Sequence, residues 1–268
     1  MAPAAAGMLE ALDAIEQVVG VGDYVTDPAA LADLPRVGAY DTPNLEQLLA
    51  LRADLFLTTA SEAAHGAHQR LESFGITVLP LDTSTYEGVF TSLEQVGRAL
   101  DRQAQATELA RTMRNQLQAI EREAAGADSR QVLFVVGRDP IFVAGPGSHV
   151  DEMIALTGGT NVAHDAPSPY LQISLEAVLE RMPEVIIDTS DNRPGATRGR
   201  QPGAWDRWQF LPAVRDNRVY HINPRLLAIP GVRLPEMTRL MGRLIHPEIF
   251  GEVTDEELLS PADAGGTE

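Results

Sequence analysis

Two histidines are the first candidates for chemistry. His65 and His68 stand three residues apart in an expected helix, so they share one face. That spacing allows a pair of zinc or manganese ligands. No third ligand follows at a defined spacing, so surface histidines are the plainer reading, and no metal site is assigned. His149, His164, His221 and His246 are scattered. The chain has no cysteine, which excludes disulfides, thiol nucleophiles, Cys-based zinc sites and iron–sulfur clusters. Gly145-Pro146-Gly147-Ser148-His149 resembles a nucleophile elbow only superficially, because the G-x-S-x-G pattern is absent. Ser148 reads better as a helix N-cap after a glycine turn, a position that can also hold an anion. Gly20-Val21-Gly22 lacks the third glycine and the helix start of a dinucleotide loop, and there is no Walker sequence. No catalytic residue is assigned.

Aromatic residues make up only 5% of the chain, so their placement carries information. Tyr24, Tyr40, Phe142 and Tyr170 all fall at strand ends or in strand–helix loops. Ligands of open α/β sheets bind beyond the carboxyl ends of the strands. Half-buried loop aromatics are the bland alternative. Trp205 and Trp208 flank a short helical turn, and Trp208 reads as a packing residue. Arg193, Arg198 and Arg200 lie in a Gly/Pro-rich loop that reads as a solvated insertion. Arg225 and Arg233 follow the last strand, where they could pair with ligand carboxylates or serve as surface charges.

The elements that must carry these residues alternate in type. Short apolar runs at 17–21, 54–59, 76–81, 131–136, 184–188 and 218–222 read as strands buried on both faces of a parallel sheet. Amphipathic stretches at 4–14, 44–51, 62–73, 86–100, 101–125, 148–156, 174–181 and 234–245 read as helices. The fold class is therefore α/β with mainly parallel sheets. The chain has 268 residues, 44% hydrophobic and 22% charged, enough for one large or two small domains. Its formal charge of −17 repels phosphate backbones and anionic membranes. The amino end shows no basic and apolar signal-peptide pattern, and no apolar run approaches a bilayer span. The acidic stretch 252–268 reads as a disordered tail whose trimming leaves function intact.

The stretch 101–125 contains no Gly or Pro, repeats Leu109, Met113, Leu117 and Ile120 at helical spacing, and reaches about 37 Å. It is either a backbone joining two lobes or a crossover helix within one. A repeat favours two lobes. Residues 44–59 lie over residues 174–189 at an offset of 130 without a gap. Each copy starts with an N-cap, Asn44 or Ser174, places Glu46 or Glu176 in the first turn, and runs into an apolar strand. The same offset pairs Tyr40 with Tyr170.

Several blocks together carry a family resemblance. They include Val19-Gly20-Val21-Gly22-Asp23-Tyr24, Val37-Gly38-Ala39-Tyr40, Leu71-Glu72-Ser73-Phe74-Gly75-Ile76 and Gly137-Arg138-Asp139-Pro140-Ile141-Phe142-Val143-Ala144-Gly145. They continue with Leu156-Thr157-Gly158-Gly159-Thr160-Asn161-Val162, Tyr170-Leu171-Gln172-Ile173-Ser174-Leu175-Glu176 and Val214-Arg215-Asp216-Asn217-Arg218-Val219-Tyr220. In order and spacing, from about residue 2 to residue 250, the chain resembles the substrate-binding proteins of ABC importers for cobalamin, haem and iron–siderophores.

The resemblance implies an N-terminal lobe over 1–100, a linking helix over 101–126, a C-terminal lobe over 127–250 and a ligand cleft between the lobes. It implies a monomeric, non-enzymatic protein outside the cytoplasmic membrane that hands its ligand to an ABC permease. Carried over by position, Pro3, Tyr24, Tyr40, Thr59, Phe142, Tyr170, Arg225 and Arg233 are expected to line the site, and Glu62 to dock the permease. Cobalamin binders tend to carry tryptophan where Tyr40 and Tyr170 stand; tyrosine keeps the stacking face and adds a hydroxyl. The resemblance also implies a strand reading like R-V-V-S-L just before Ala2-Pro3, so the N-terminal lobe is expected to start truncated, with an exposed sheet edge. No C-lobe docking acid is apparent. The alternative from another class is a cytoplasmic chelatase-like enzyme on a similar two-lobed plan.

Overall fold

The computed structural model describes residues 3–23, 25, 28–39, 42–60, 65–191, 199–200, 203–227 and 229–258. It divides into two compact α/β units. The first comprises Met1–Met113 with Pro230–Arg233, and the second Arg114–Ile229 with Leu234–Glu268.

The first unit starts with helix α1 (Pro3–Ala11). Residues 17–21, expected as a strand, instead leave a 3-10 turn at Ile15–Gln17, and Val21 makes only an isolated parallel bridge to Arg36. Close packing confines this stretch: a Cβ on Gly20 would come within 2.8 Å of Val37 Cγ1. Helix α2 (Leu45–Ala50) is capped by Asn44, whose side chain accepts from the Gln47 N–H at 3.1 Å. Strand β1 (Leu55–Thr59), helix α3 (His65–Ser73) and strand β2 (Thr77–Leu81) form a parallel β–α–β unit, with Leu55 opposite Thr77 and Thr59 opposite Leu81. Phe56, Leu71 and Ile76 bury beneath it with Val37 and Leu48. Among the described residues β1 pairs with β2 alone.

Helix α4 (Tyr86–Ala99) is capped by Thr85, which accepts from the Gly88 N–H at 3.1 Å. Helix α5 (Gln103–Ala124) follows after a turn through Asp101. The two helices nearly touch: a Cβ on Gly97 would lie 2.3 Å from Ala106 Cβ. The buried stripe of α5 is Ala106, Ala110, Met113, Leu117, Ile120 and Ala124, so small residues replace Leu109 where backbones approach most closely. The boundary between the units falls inside this helix.

The second unit holds a seven-stranded sheet. Its elements are β3 (Arg130–Arg138), β4 (Ile141–Ala144), α6 (His149–Leu156), β5 (Gly159–Asn161), β6 (Tyr170–Gln172), α7 (Leu175–Arg181), β7 (Val185–Asp188), β8 (Gly199–Arg200), α8 (Pro212–Arg215), β9 (Val219–His221), α9 (Leu234–Ile245) and α10 (Pro247–Phe250). The order is β6-β4-β3-β7-β9-β8, with β5 on β3. Strands β3, β5, β7 and β9 run parallel; β4, β6 and β8 add antiparallel pairings. Val185, Ile186 and Ile187 are wholly buried, each contributing about 1.5–3 kcal/mol of apolar transfer.

The repeat persists in detail. Ser174 caps α7 by accepting from the Ala177 N–H at 3.2 Å, as Asn44 caps α2. Both helices end in a left-handed residue at the same offset, Arg52 at φ 54° and Met182 at φ 48°. β7 then pairs with β9 as β1 pairs with β2, and β7 additionally pairs with β3.

Two expectations are corrected. Arg200 is no solvated loop residue: it sits in β8, donates to Tyr220 Oη at 3.1 Å and Glu252 Oε2 at 2.8 Å, and lies over the Tyr220 ring. The start of the acidic tail is packed rather than disordered. Glu257 pairs with Arg243 at 2.6 Å, and Leu258 is buried. Apolar burial and local counter-charges hold these residues despite their composition.

Candidate functional site

Carboxyl ends of parallel strands collect polar side chains in this fold because the backbone there leaves the ladder and turns. In the first unit, Thr59 closes β1 and is half-buried. Pro3 opens α1, and the segment carrying Arg233 belongs to the same unit: a Cβ on Gly7 would meet Val232 Cγ2 at 3.4 Å. Arg233 is exposed and engaged in an interaction of its own. Tyr24, Tyr40, Glu62, Arg193 and Arg198 lie outside the described residues.

In the second unit, Phe142 and Tyr170 come together. Both were placed by sequence at loop positions, yet Phe142 lies in β4 and Tyr170 in β6. These strands are antiparallel neighbours, with Phe142 opposite Gln172 and Ala144 opposite Tyr170. Alternation along each strand therefore puts both rings on one face as diagonal neighbours, roughly 7–8 Å apart. Val143 and Leu171, between them, point to the core on the other face. Phe142 is 39% and Tyr170 44% exposed. Desolvation of the Tyr170 phenol raises its pKa, so it remains a neutral donor. The result is an aromatic platform with Gln172 on its rim. Arg225 is exposed in the 3-10 turn that follows β9, its N–H held by Asn223 Oδ1 at 2.9 Å. Among the described residues, no hydrogen bond or ring contact joins it to Phe142 or Tyr170.

Sequence reasoning overlooked a polar cluster at the ends of β3, β7 and β9. Asp188 is buried and accepts from Trp205 Nε1 at 2.9 Å, Ser190 N at 3.0 Å and Ser190 Oγ at 2.5 Å. Arg138 Nη2 lies 3.0 Å and His221 Nδ1 3.9 Å from Asp188 Oδ2. Gly203 must be a glycine here, since at φ 54° its Cβ would fall 2.6 Å from His221 Nε2. The available signal was an acidic residue ending a wholly apolar strand. Trp208 packs on Trp205, ring centroids 5.7 Å apart, as expected.

The histidine pair fares differently. His68 is buried rather than at the surface, and no group of three potential metal ligands exists among the described residues. Ser148 is confirmed as a cap, accepting from the Asp151 N–H at 3.2 Å and donating to Gly145 O at 2.7 Å. A cavity of about 640 Å³ in the first unit runs along β1 from Asp54 to Leu57 with Val18, Val19 and Leu100. It lies toward the amino end of β1, and Thr59 does not line it.

Residues 1–226 match the family described as periplasmic binding protein. The chain belongs to that family. As a periplasmic binding protein it is a substrate-binding component of the ABC-importer class. Among its relatives, an uncharacterised ABC transporter substrate-binding lipoprotein of Bacillus subtilis is 29% identical over 244 residues, 88% of this chain and 76% of the relative. A vitamin B12-binding protein of Vibrio campbellii is 26% identical over 219 residues, 81% of this chain and 78% of the relative. The crystal structure of a periplasmic heme binding protein from Pseudomonas aeruginosa matches with a TM-score of 0.76 at 25% identity, covering 92% of this chain and 91% of that one. This periplasmic binding protein thus shares its two-unit α/β plan with solved members of the family.

Proposed function

We propose that this chain captures a cobalamin- or iron-chelate-type ligand outside the cytoplasmic membrane and delivers it to an ABC permease. The observation that carries this reading is the family match over residues 1–226 together with a B12-binding relative and a heme-binding structural neighbour. The Phe142–Tyr170 platform supports it, because exposed aromatic faces suit the flat ring system of a corrin or porphyrin. Pro3, Tyr24, Tyr40, Thr59, Arg225 and Arg233 complete the proposed ligand-binding set, and Glu62 is the proposed permease contact. The protein acts as a monomer without chemistry of its own. The comparisons lend no support to a chelatase-like enzyme.

Calorimetric titration with cyanocobalamin, haemin and a ferric hydroxamate tests the proposal. Sub-micromolar binding of one of them at a single site, about −8 kcal/mol or stronger, is the expected result. Absence of binding by all three in a folded sample would overturn the ligand class.

A further inference from the structure

This inference rests on the importer reading and concerns the part of the ligand that meets the Phe142–Tyr170 platform. Strands β6, β4 and β3 carry that face side by side. Gln172 of β6 pairs with Phe142 of β4, and Phe142 pairs in turn with Gly137 of β3. The three residues form one row across the sheet, with Tyr170 diagonal to Phe142. Toward β6 the Phe142 ring is flanked by Gln172 and Tyr170, both exposed. Toward β3 it is flanked by a half-buried residue that has no side chain.

Neither the backbone nor the packing of the described residues requires a glycine there. The φ of Gly137 lies outside the left-handed region. The irregular register between Val135 and Gly137 is therefore not the bulge that needs a left-handed glycine. A Cβ on Gly137 would meet Phe142 Cβ at 3.4 Å and Pro140 O at 3.8 Å, which are ordinary van der Waals contacts. Gly145 shows the contrast: a Cβ there would fall 2.7 Å from Ser168 O, so packing demands glycine. Glycine inside a strand loses extra conformational entropy on folding and packs nothing. It recurs where a ligand or another backbone approaches closely. The protein thus holds a step open beside an exposed ring, at a cost in stability.

Aromatic systems prefer offset stacks to direct ones. A large flat ring on Phe142 is displaced away from Gln172 and Tyr170, and so over Gly137. We propose that the bare step at Gly137 receives the face of a porphyrin-type macrocycle lying against Phe142, and that the missing side chain is what admits it. A ferric hydroxamate surrounds its metal with chelating arms, and cyanocobalamin carries an axial ligand on each face. Neither presents a bare macrocycle face to the step. Gly137 is then a specificity-determining residue that sorts metal chelates by the flatness of the face they offer.

The full chain and its Gly137→Ala, Gly137→Val and Gly137→Leu variants are titrated with haemin, cyanocobalamin and a ferric hydroxamate, and each is unfolded in urea. The wild type should bind haemin most tightly. Haemin affinity should fall stepwise with side-chain size, by about tenfold or more in Gly137→Val. Gly137→Ala and Gly137→Val should unfold at the wild-type urea concentration or above it, because both suit a strand at least as well as glycine does. A structural glycine would not move affinity and stability in opposite directions. If Gly137→Leu fails to fold, Gly137→Ala, which adds the Cβ alone, still decides the matter. Unchanged haemin affinity in Gly137→Val would overturn the inference and leave the importer reading standing. So would tighter binding of cyanocobalamin or the hydroxamate by the wild type, or a loss of stability in Gly137→Ala that accompanies its loss of affinity. Failure of all three probes to bind the folded wild type would overturn the importer ligand class and this inference with it.

Discussion

Replacing Asp188 by alanine should destabilise the second unit by about 3 kcal/mol. The figure comes from the groups left behind. The Trp205 indole N–H is 2% exposed and would lose its acceptor, at about 1–3 kcal/mol for an unmatched buried donor. Arg138 would lose its counter-charge. Breaking a fully buried ion pair costs about 3–5 kcal/mol, but Arg138 is 36% exposed and can be hydrated, so only part of that applies. Ser190 is half-buried and can turn to water. A loss of this size lowers Tm by roughly 10 °C. The assay is urea unfolding followed by tryptophan fluorescence. The chain has two tryptophans, and both Trp205 and Trp208 lie in the second unit, so the signal reports that unit alone. Asp188→Asn, which keeps one acceptor for the indole, should cost about half as much. Because the folded carboxyl titrates below its ordinary range, its contribution is complete above that range and fades as the pH falls through it. The gap between wild type and Asp188→Ala should therefore narrow in acid. A change below about 0.5 kcal/mol, or equal effects of Ala and Asn, would refute the reasoning that an ionised, hydrogen-bonded Asp188 holds the strand ends together.

Further outcomes are expected elsewhere. Phe142→Ala with Tyr170→Ala should weaken the calorimetric affinity at least tenfold, about 1.4 kcal/mol, with little loss of stability, since both rings are exposed; unchanged affinity would remove the platform from the site. Glu248 is partly desolvated, but its own backbone N–H, the His246 ring and Arg130 outweigh this and bring its pKa to about 2. The stability it contributes is present above the unfolded value of about 4.5 and is lost as the pH falls through about 2. The deficit of Glu248→Gln in urea unfolding should accordingly be largest near neutrality and disappear toward pH 2. Ending the chain after Gly251 removes buried Leu258 and the Glu257–Arg243 pair; the cost should be about 2 kcal/mol, and an unchanged Tm would show that this segment is merely draped on the surface.

The parts of the fold that were readable in the sequence are those whose pattern is set locally. Leu55–Thr59, Val185–Asp188 and α9 were evident because their apolar runs and periodicity suffice to define them. The caps Asn44, Ser148 and Ser174 were evident because a short polar side chain before an apolar period has one good use. Strands β4, β5, β6 and β8 were not, since they have two to four residues and exist only through their neighbours in the sheet. That is also why Phe142 and Tyr170 were assigned to strand ends and loops, although they lie within β4 and β6. The stretch 17–21 shows the converse: it has strand composition, but among the described residues it finds only one bridge. Asp188, Arg138 and Trp205 were not grouped because 50 residues separate Arg138 from Asp188, and only the parallel pairing of β3 with β7 brings their ends together.

The segment Pro230–Arg233 has a consequence for how the protein is made. It belongs to the first unit, packed on α1 near Ala4 and Gly7, although the chain on both sides of it belongs to the second. Translation delivers the amino end first, so roughly 120 residues must be added after Met113 before this segment exists. At about 5–20 residues per second that is a delay of roughly 6–24 s. Until that segment exists α1 lacks its final covering, and the unit that begins first is among the last to be completed. A fragment stopped at Met113 would reproduce that waiting state permanently, so the two units are separable in space but not by a single cut in the gene.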